Sequence, residues 1–243
     1  MTHQESRRIV IMAEGKFSPA RAKTATGVIR YGPYKVLGVI DSTKAGKRVS
    51  DFIAGIGHDI PIIASLDEAL DKKPEALLIG IAPMGGKLPD AWRAVILQAI
   101  RNGMDIISGL HTFLSEDGEF VAEAQLHSVE IWDVRKPPKG LPVAQCALRR
   151  AKSYILTTVG SDCSVGKMTT AIEIVAAARR AGITAEFVAT GQTGIMISGW
   201  GYPLDAITAD FVAGAIEKAI LEIDGKFDLI VVEGQGSLLH PGY

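Results

Sequence analysis

Short runs of apolar, β-branched residues alternate along this chain with longer stretches whose apolar positions recur every three or four residues. The first pattern predicts buried strands, the second amphipathic helices. In the first half, strands are expected over 8–13, 35–41, 61–64, 76–82, 104–108 and 129–134. Helices are expected over 20–31, after Ser65 as an N-cap with Asp67 and Glu68 in the first turn, over 90–102 ended by Gly103, and over 119–127. Continuously apolar strands alternating with helices imply a parallel sheet covered on both faces. The stretch Arg135-Lys-Pro-Pro-Lys-Gly-Leu-Pro142 continues neither element and marks a boundary. Beyond it come a buried strand over 154–159, a helix over 168–181, a strand over 184–189, a helix over 204–223 and a strand over 227–232.

The fold class is therefore α/β: a Rossmann-like parallel-sheet domain (1–135), a linker (136–150), and a second α/β domain (151–243) that opens on a strand, a loop ending in Gly166-Lys167 and a helix, a P-loop NTPase-like layout. Only about three strands are expected in the second domain, against ~4–6 in a usual sheet. The chain stops at His240-Pro-Gly-Tyr243, directly after a candidate site loop. The expectation is a C-terminally truncated chain, or a homo-oligomer in which another subunit covers the open edge.

Composition narrows the function. A net charge of -1 over 243 residues gives no general attraction to nucleic acid or to an anionic membrane. Two cysteines make no disulfide framework, and no apolar run approaches the ~20 residues of a membrane span. With a polar start that is no signal peptide, a cytoplasmic protein is expected.

The chemistry concentrates after the strand at 154–159. Gly160, Ser161, Asp162, Cys163, Ser164, Val165, Gly166 and Lys167 precede a helix beginning Met168-Thr169. Strand, glycine loop ending in Gly-Lys, and helix is the layout of a phosphate-binding P-loop. Glycines let N–H groups converge on an anion, the helix N-terminus adds partial positive charge, and Lys167 brings a full charge to the phosphates. The spacing departs from G-x-x-x-x-G-K-[ST]: Ser161 stands where the first glycine belongs, and Met168 where a magnesium-binding Ser/Thr belongs. The segment Thr190-Gly-Gln-Thr-Gly194, with Gln192 and Thr193, is either a ligand loop or an ordinary turn. Glu233 ends an apolar strand where a magnesium-organising carboxylate is usual, with Thr169 as its companion if a nucleotide is bound. Asp205 and Asp210 sit five apart on the expected helix and form no pair by periodicity. In the first domain, Glu14-Gly-Lys16, residues 82–87 and His111 follow strands. His111 is a candidate base. Asp41 ends a strand where an acid could hold a ribose, but the dinucleotide glycines are missing and NAD is not expected.

The loop Gly160-Ser-Asp-Cys-Ser-Val-Gly-Lys167 resembles that of dethiobiotin synthetase. Together with Ala189-Thr-Gly-Gln-Thr-Gly-Ile195, Pro203-Leu-Asp-Ala-Ile-Thr-Ala-Asp-Phe211, Glu233-Gly-Gln-Gly-Ser-Leu238 and Ser108-Gly-Leu-His111, it is similar to the DgcN-like proteins over nearly the whole chain. That resemblance implies a Rossmann-like domain followed by a P-loop domain, with Met168 normal in its place. It also implies members that continue past the position of Tyr243. Its named branch implies N-acetyl transfer from acetyl-CoA to a D-glutamate-like amino acid, with His111, Asp210 or Glu233 as base. Residues 30–41 look more like a second branch, whose members lie near dipeptide epimerase genes, so the acceptor is an amino acid or a dipeptide. The alternatives are an ATP- and magnesium-dependent ligase or kinase like dethiobiotin synthetase, and a non-catalytic nucleotide-binding regulatory protein.

Overall fold

A computed structural model describes residues 7–81, 88–237 and 239, and the chain divides into two units, Met1–Arg135 and Lys136–Tyr243. The first unit runs β1 (Arg8–Met12), α1 (Lys23–Tyr31), β2 (Lys35–Ile40), β3 (Ile62–Ile63), α2 (Asp67–Leu70), β4 (Ala76–Ile79), α3 (Asp90–Arg101), β5 (Asp105–Ser108), α4 (Gly118–His127) and β6 (Ile131–Asp133). All its strand pairs are parallel, in the order β3-β2-β1-β4-β5-β6. The apolar runs are buried as their composition demands: Ile9 to Met12 and Ala76 to Ile79 have almost no exposed surface. Trp92, Ile96, Leu97 and Ile100 form the buried stripe of α3.

Two starts differ from expectation. The helix expected from residue 20 begins at Lys23, because residues 18–22 form a turn closed by the Arg21 and Ala22 N–H groups on the Ser18 carbonyl. Ser65 caps nothing: Leu66 is the N-cap of α2, and Glu68 instead accepts the Ala64 N–H at 2.9 Å.

Asp41, at the end of β2, is fully buried and spent within the protein. It accepts from Phe17 N–H (2.8 Å), Thr43 N–H (3.1 Å), Thr43 Oγ1 (2.5 Å) and Lys44 Nζ (3.0 Å). Burial opposes its ionisation, but the hydrogen bonds and the Lys44 charge outweigh it and hold the carboxyl below its ordinary value. A depressed folded pKa means that stabilisation is fully present above the unfolded value of about 3.9 and is lost as pH falls through the folded one. Asp41→Asn is expected to flatten the acid limb of a stability–pH curve measured by urea unfolding. Parallel curves for the two proteins would overturn this account.

The second unit runs β7 (Tyr154–Thr157), α5 (Lys167–Arg180), β8 (Ala185–Val188), α6 (Gln192–Ser198), α7 (Ala209–Ile223) and β9 (Leu229–Val232). Its three strands are parallel, in the order β7-β9-β8. Val188, Tyr202, Ala215, Ala219, Ile220, Ile230 and Val232 form a core beneath α7.

The strand expected to be buried over 154–159 is not. Among the described residues β7 pairs with β9 alone, and in this stretch Tyr154 is 82%, Ile155 and Leu156 37% and Val159 86% exposed. The helix expected over 204–223 is broken: a 3-10 turn at Leu204–Ala206 precedes α7. Residues 136–150, expected as a linker, belong to the second unit. The Gln145 and Ala147 N–H groups both donate to the buried Glu217 carboxylate at 2.6 Å, so this stretch is tied to α7. Both cysteines are free thiols, and no helix among the described residues is long and apolar enough to cross a membrane.

Candidate functional site

The loop after β7 turns sharply enough to bring its backbone round the first turn of α5. Ser164 (φ 60°) and Gly166 (φ 104°) both take the left-handed conformation, and Gly166 is the N-cap of α5. Lys167 then opens the helix, and its ammonium donates to the Asp162 carbonyl at 2.8 Å, back inside the loop. The Asp162 carboxylate accepts the Cys163 N–H at 2.6 Å. Ser161, Ser164 and Val165 are exposed, Asp162, Cys163 and Gly160 half-buried. Met168 is half-buried, while Thr169 is exposed on the first turn. The segment after β9 lies along the same loop: the Ser161 carbonyl accepts from Leu239 N–H at 3.0 Å and from Ser237 Oγ at 3.4 Å.

Glu233 closes the site from below. It is buried, and its Oε2 accepts the N–H groups of Thr190 (2.9 Å) and Gly191 (3.1 Å). Two glycines leave room for it: a Cβ on Gly194 would stand 2.5 Å from Oε2, and one on Gly191 3.4 Å from Oε1. Desolvation raises the Glu233 pKa; hydrogen bonds from Thr190, Gly191 and Gln235 and the charge of Lys167 oppose that rise without cancelling it. The Thr190–Gly194 segment, a ligand loop or an ordinary turn by sequence, is packed onto this carboxylate. Two of its N–H groups are committed to Glu233, and Gln192 and Thr193, both half-buried, form the first turn of α6.

The other candidate residues are placed less centrally. Asp210 is exposed in the first turn of α7. Asp205, Asp210 and Glu233 make no metal centre: no three His, Cys, Asp or Glu residues gather as one among the described residues. His111 belongs to the first unit, exposed in the turn after β5. Partial burial and the nearby Arg135 charge hold its pKa below the ordinary value. Glu14 is engaged by the Ser42 N–H at 2.9 Å. The loop at 82–87 lies outside the described residues, as do residues 238 and 240–243.

Thr158, within the strand before the loop, and Gly234, within the motif Glu233-Gly-Gln-Gly-Ser-Leu238, are not among the site residues expected from the sequence. The buried Thr158 Oγ1 accepts the Gly234 N–H at 3.1 Å, fastening the segment after β9 to the entrance of the loop. The repeated glycines of Glu233-Gly-Gln-Gly236 were the available signal.

Residues 142–243 match the P-loop domain of a family described as a domain of unknown function, DUF1611, and residues 42–137 match its Rossmann-like N-terminal domain. A crystal structure of a DUF1611 family protein from Anabaena variabilis is 40% identical, with a TM-score of 0.92 over 98% of this chain and 69% of that one. The chain belongs to the DUF1611 family. This is the family that the motifs resemble, and its two domains have the α/β folds expected from the apolar runs. A curated relative, D-glutamate N-acetyltransferase from Tritonibacter scottomollicae, is 40% identical over 224 residues, 91% of this chain and 63% of its own length. A second protein of that name, from Pseudoalteromonas, is 39% identical over 179 residues, 74% of this chain and 53% of its own. The chain thus spans about half to two thirds of the curated relatives that it matches.

Proposed function

We propose that this protein acts as an N-acetyltransferase on an amino acid of the D-glutamate type. The observation that carries the proposal is the 40% identity with a D-glutamate N-acetyltransferase over 91% of the chain. Acetyl-CoA supplies the acetyl group. The loop from Gly160 to Lys167, with the first turn of α5, suits the phosphates of that donor. The transfer forms an N–C bond and breaks the C–S bond of the thioester, with no phosphoryl group moved. A Met168 in place of a magnesium-binding hydroxyl suits such chemistry. The attacking amine must be neutral, so a base takes its proton. Within the second unit Glu233 has the raised basicity for that role, and Asp210 and His111 are the competing candidates.

The dethiobiotin-synthetase-like reading puts ATP in the loop and magnesium on Thr169 and Glu233. The commitment of Glu233 Oε2 to two backbone N–H groups favours the acetyl reading. The purified protein with acetyl-CoA, or with ATP and magnesium, tests the choice across D- and L-amino acids and dipeptides. Free CoA released only when an amine is present supports transfer. Amine-dependent ADP with acetyl-CoA inert would establish the ligase, and ligand binding without either turnover would establish a regulatory protein.

Lys167→Ala is expected to weaken binding of the phosphate-bearing ligand by about 1.5–3 kcal/mol, the range for hydrogen bonds to charged groups. Isothermal calorimetry with CoA and with ATP measures it. Unchanged affinity for both would remove the phosphate-site assignment.

A further inference from the structure

We infer that Gly234 is a positioning residue of the phosphate site, acting on the Lys167 side chain through its lack of a Cβ. The inference rests on the reading of residues 160–167 as a phosphate loop. A Cβ on Gly234 would lie 1.8 Å from the carbonyl oxygen of Thr158 and 3.4 Å from Cδ of Lys167. A Cβ on Gly160 would lie 3.2 Å from Cγ and 3.3 Å from Cδ of the same lysine. The Lys167 stem therefore passes over two bare Cα atoms, one at the loop entrance and one just after β9, before its ammonium meets the Asp162 carbonyl. Gly234 is absent from the residues with positive φ, so the position demands space and not an unusual backbone angle.

The clash at 1.8 Å is with backbone, and the Thr158 backbone leads through Val159 into Gly160. An added methyl at 234 has two ways to be relieved. Either the loop entrance moves, or the segment after β9 lifts away and releases the Gly234 N–H from Thr158 Oγ1. Both displace the wall that the lysine stem rests on. An ammonium–phosphate hydrogen bond needs roughly 2.7–3.2 Å between heavy atoms, so a shift of about an ångström at Nζ converts it into a solvent-separated pair. Gly236, two residues on, has nothing within 4 Å of its would-be Cβ and supplies the control.

The test measures affinities for CoA and for ATP by calorimetry, with melting curves, for the wild type, Lys167→Ala, Gly234→Ala, Gly236→Ala and the Lys167→Ala/Gly234→Ala double variant. Gly234→Ala is expected to lose affinity about ten- to a hundredfold, as Lys167→Ala does, while Gly236→Ala binds as the wild type. On the Lys167→Ala background, Gly234→Ala should cost nothing further, because the group that it misplaces is gone. A purely structural role would add its loss in full on that background, and this result would overturn the inference. Wild-type binding by a folded Gly234→Ala would overturn it too. If Gly234→Ala fails to fold, Thr158→Val removes the hydroxyl that anchors Gly234 without adding bulk, and its loss must show the same dependence on Lys167. If Lys167→Ala leaves both affinities unchanged, the phosphate reading itself fails and takes this inference with it.

Discussion

Glu233→Gln is expected to slow acetyl transfer by about 10²- to 10⁴-fold, the usual contribution of a general base, while affinity for the phosphate-bearing ligand changes little. Glutamine keeps the size of the side chain and one oxygen for the Thr190 and Gly191 N–H groups, so the packing against Gly191 and Gly194 survives. What it removes is the capacity to take a proton. Desolvation pushes the Glu233 carboxyl above the ordinary glutamate range, which makes its anion a stronger base than an exposed carboxylate. The wild-type rate should therefore fall on acidification through an apparent pKa above the ordinary glutamate value, and Glu233→Gln should lack that limb. The same profiles for Asp210→Asn and His111→Gln discriminate among the three candidates, since only loss of the true base abolishes the acid limb. A Glu233→Gln enzyme within about tenfold of wild type, with its acid limb intact, would exclude Glu233 as the base.

Gly214→Ala is expected to destabilise the second unit by about 3 kcal/mol, the upper part of the range for overpacking a tight contact. A Cβ at this position of α7 would stand 1.8 Å from the Pro142 carbonyl oxygen and 3.0 Å from the Ala144 nitrogen. These are backbone atoms, so no side-chain rotation relieves the clash. The strand of chain over 142–147 must lift off α7, and three residues further along the helix Glu217 then loses the Gln145 and Ala147 N–H groups. A buried carboxylate left without donors costs a further desolvation penalty. Alanine has the higher helix propensity, so at an open helical position the same change would be neutral or stabilising. Chemical denaturation followed by circular dichroism decides it. Unchanged stability would mean that 136–150 is not held against α7.

How far the sequence carried the reading depended on where each side chain's partner lies. The central strands of the first sheet, β1 and β4, were legible because their apolar runs leave no polar face, which burial between helices explains. The P-loop domain was legible because the glycines and lysine of its loop are close in sequence. The roles of Gly214 and Glu217 were not, because their partners are the carbonyl of Pro142 and the N–H groups of residues about seventy positions away. The exposure of β7 was misread for a related reason: apolar β-branched composition reports what a strand is suited to, not which neighbours are present. Asp41 is nearer the opposite case, since Thr43 and Lys44 just after it supply three of the hydrogen bonds that it accepts and only Phe17 reaches it from elsewhere in the sequence.

The pairing of β7 with β9 alone also sets a timetable for the nascent chain. Tyr154 pairs with Leu229, so α5, β8, α6 and α7 are all synthesised before β7 meets β9, its neighbour among the described residues. At about 5–20 residues per second that interval lasts on the order of several seconds. Throughout it the backbone of Tyr154, Ile155 and Leu156 lacks the partner strand that it has in the folded unit, an open edge of the kind that can pair with another chain.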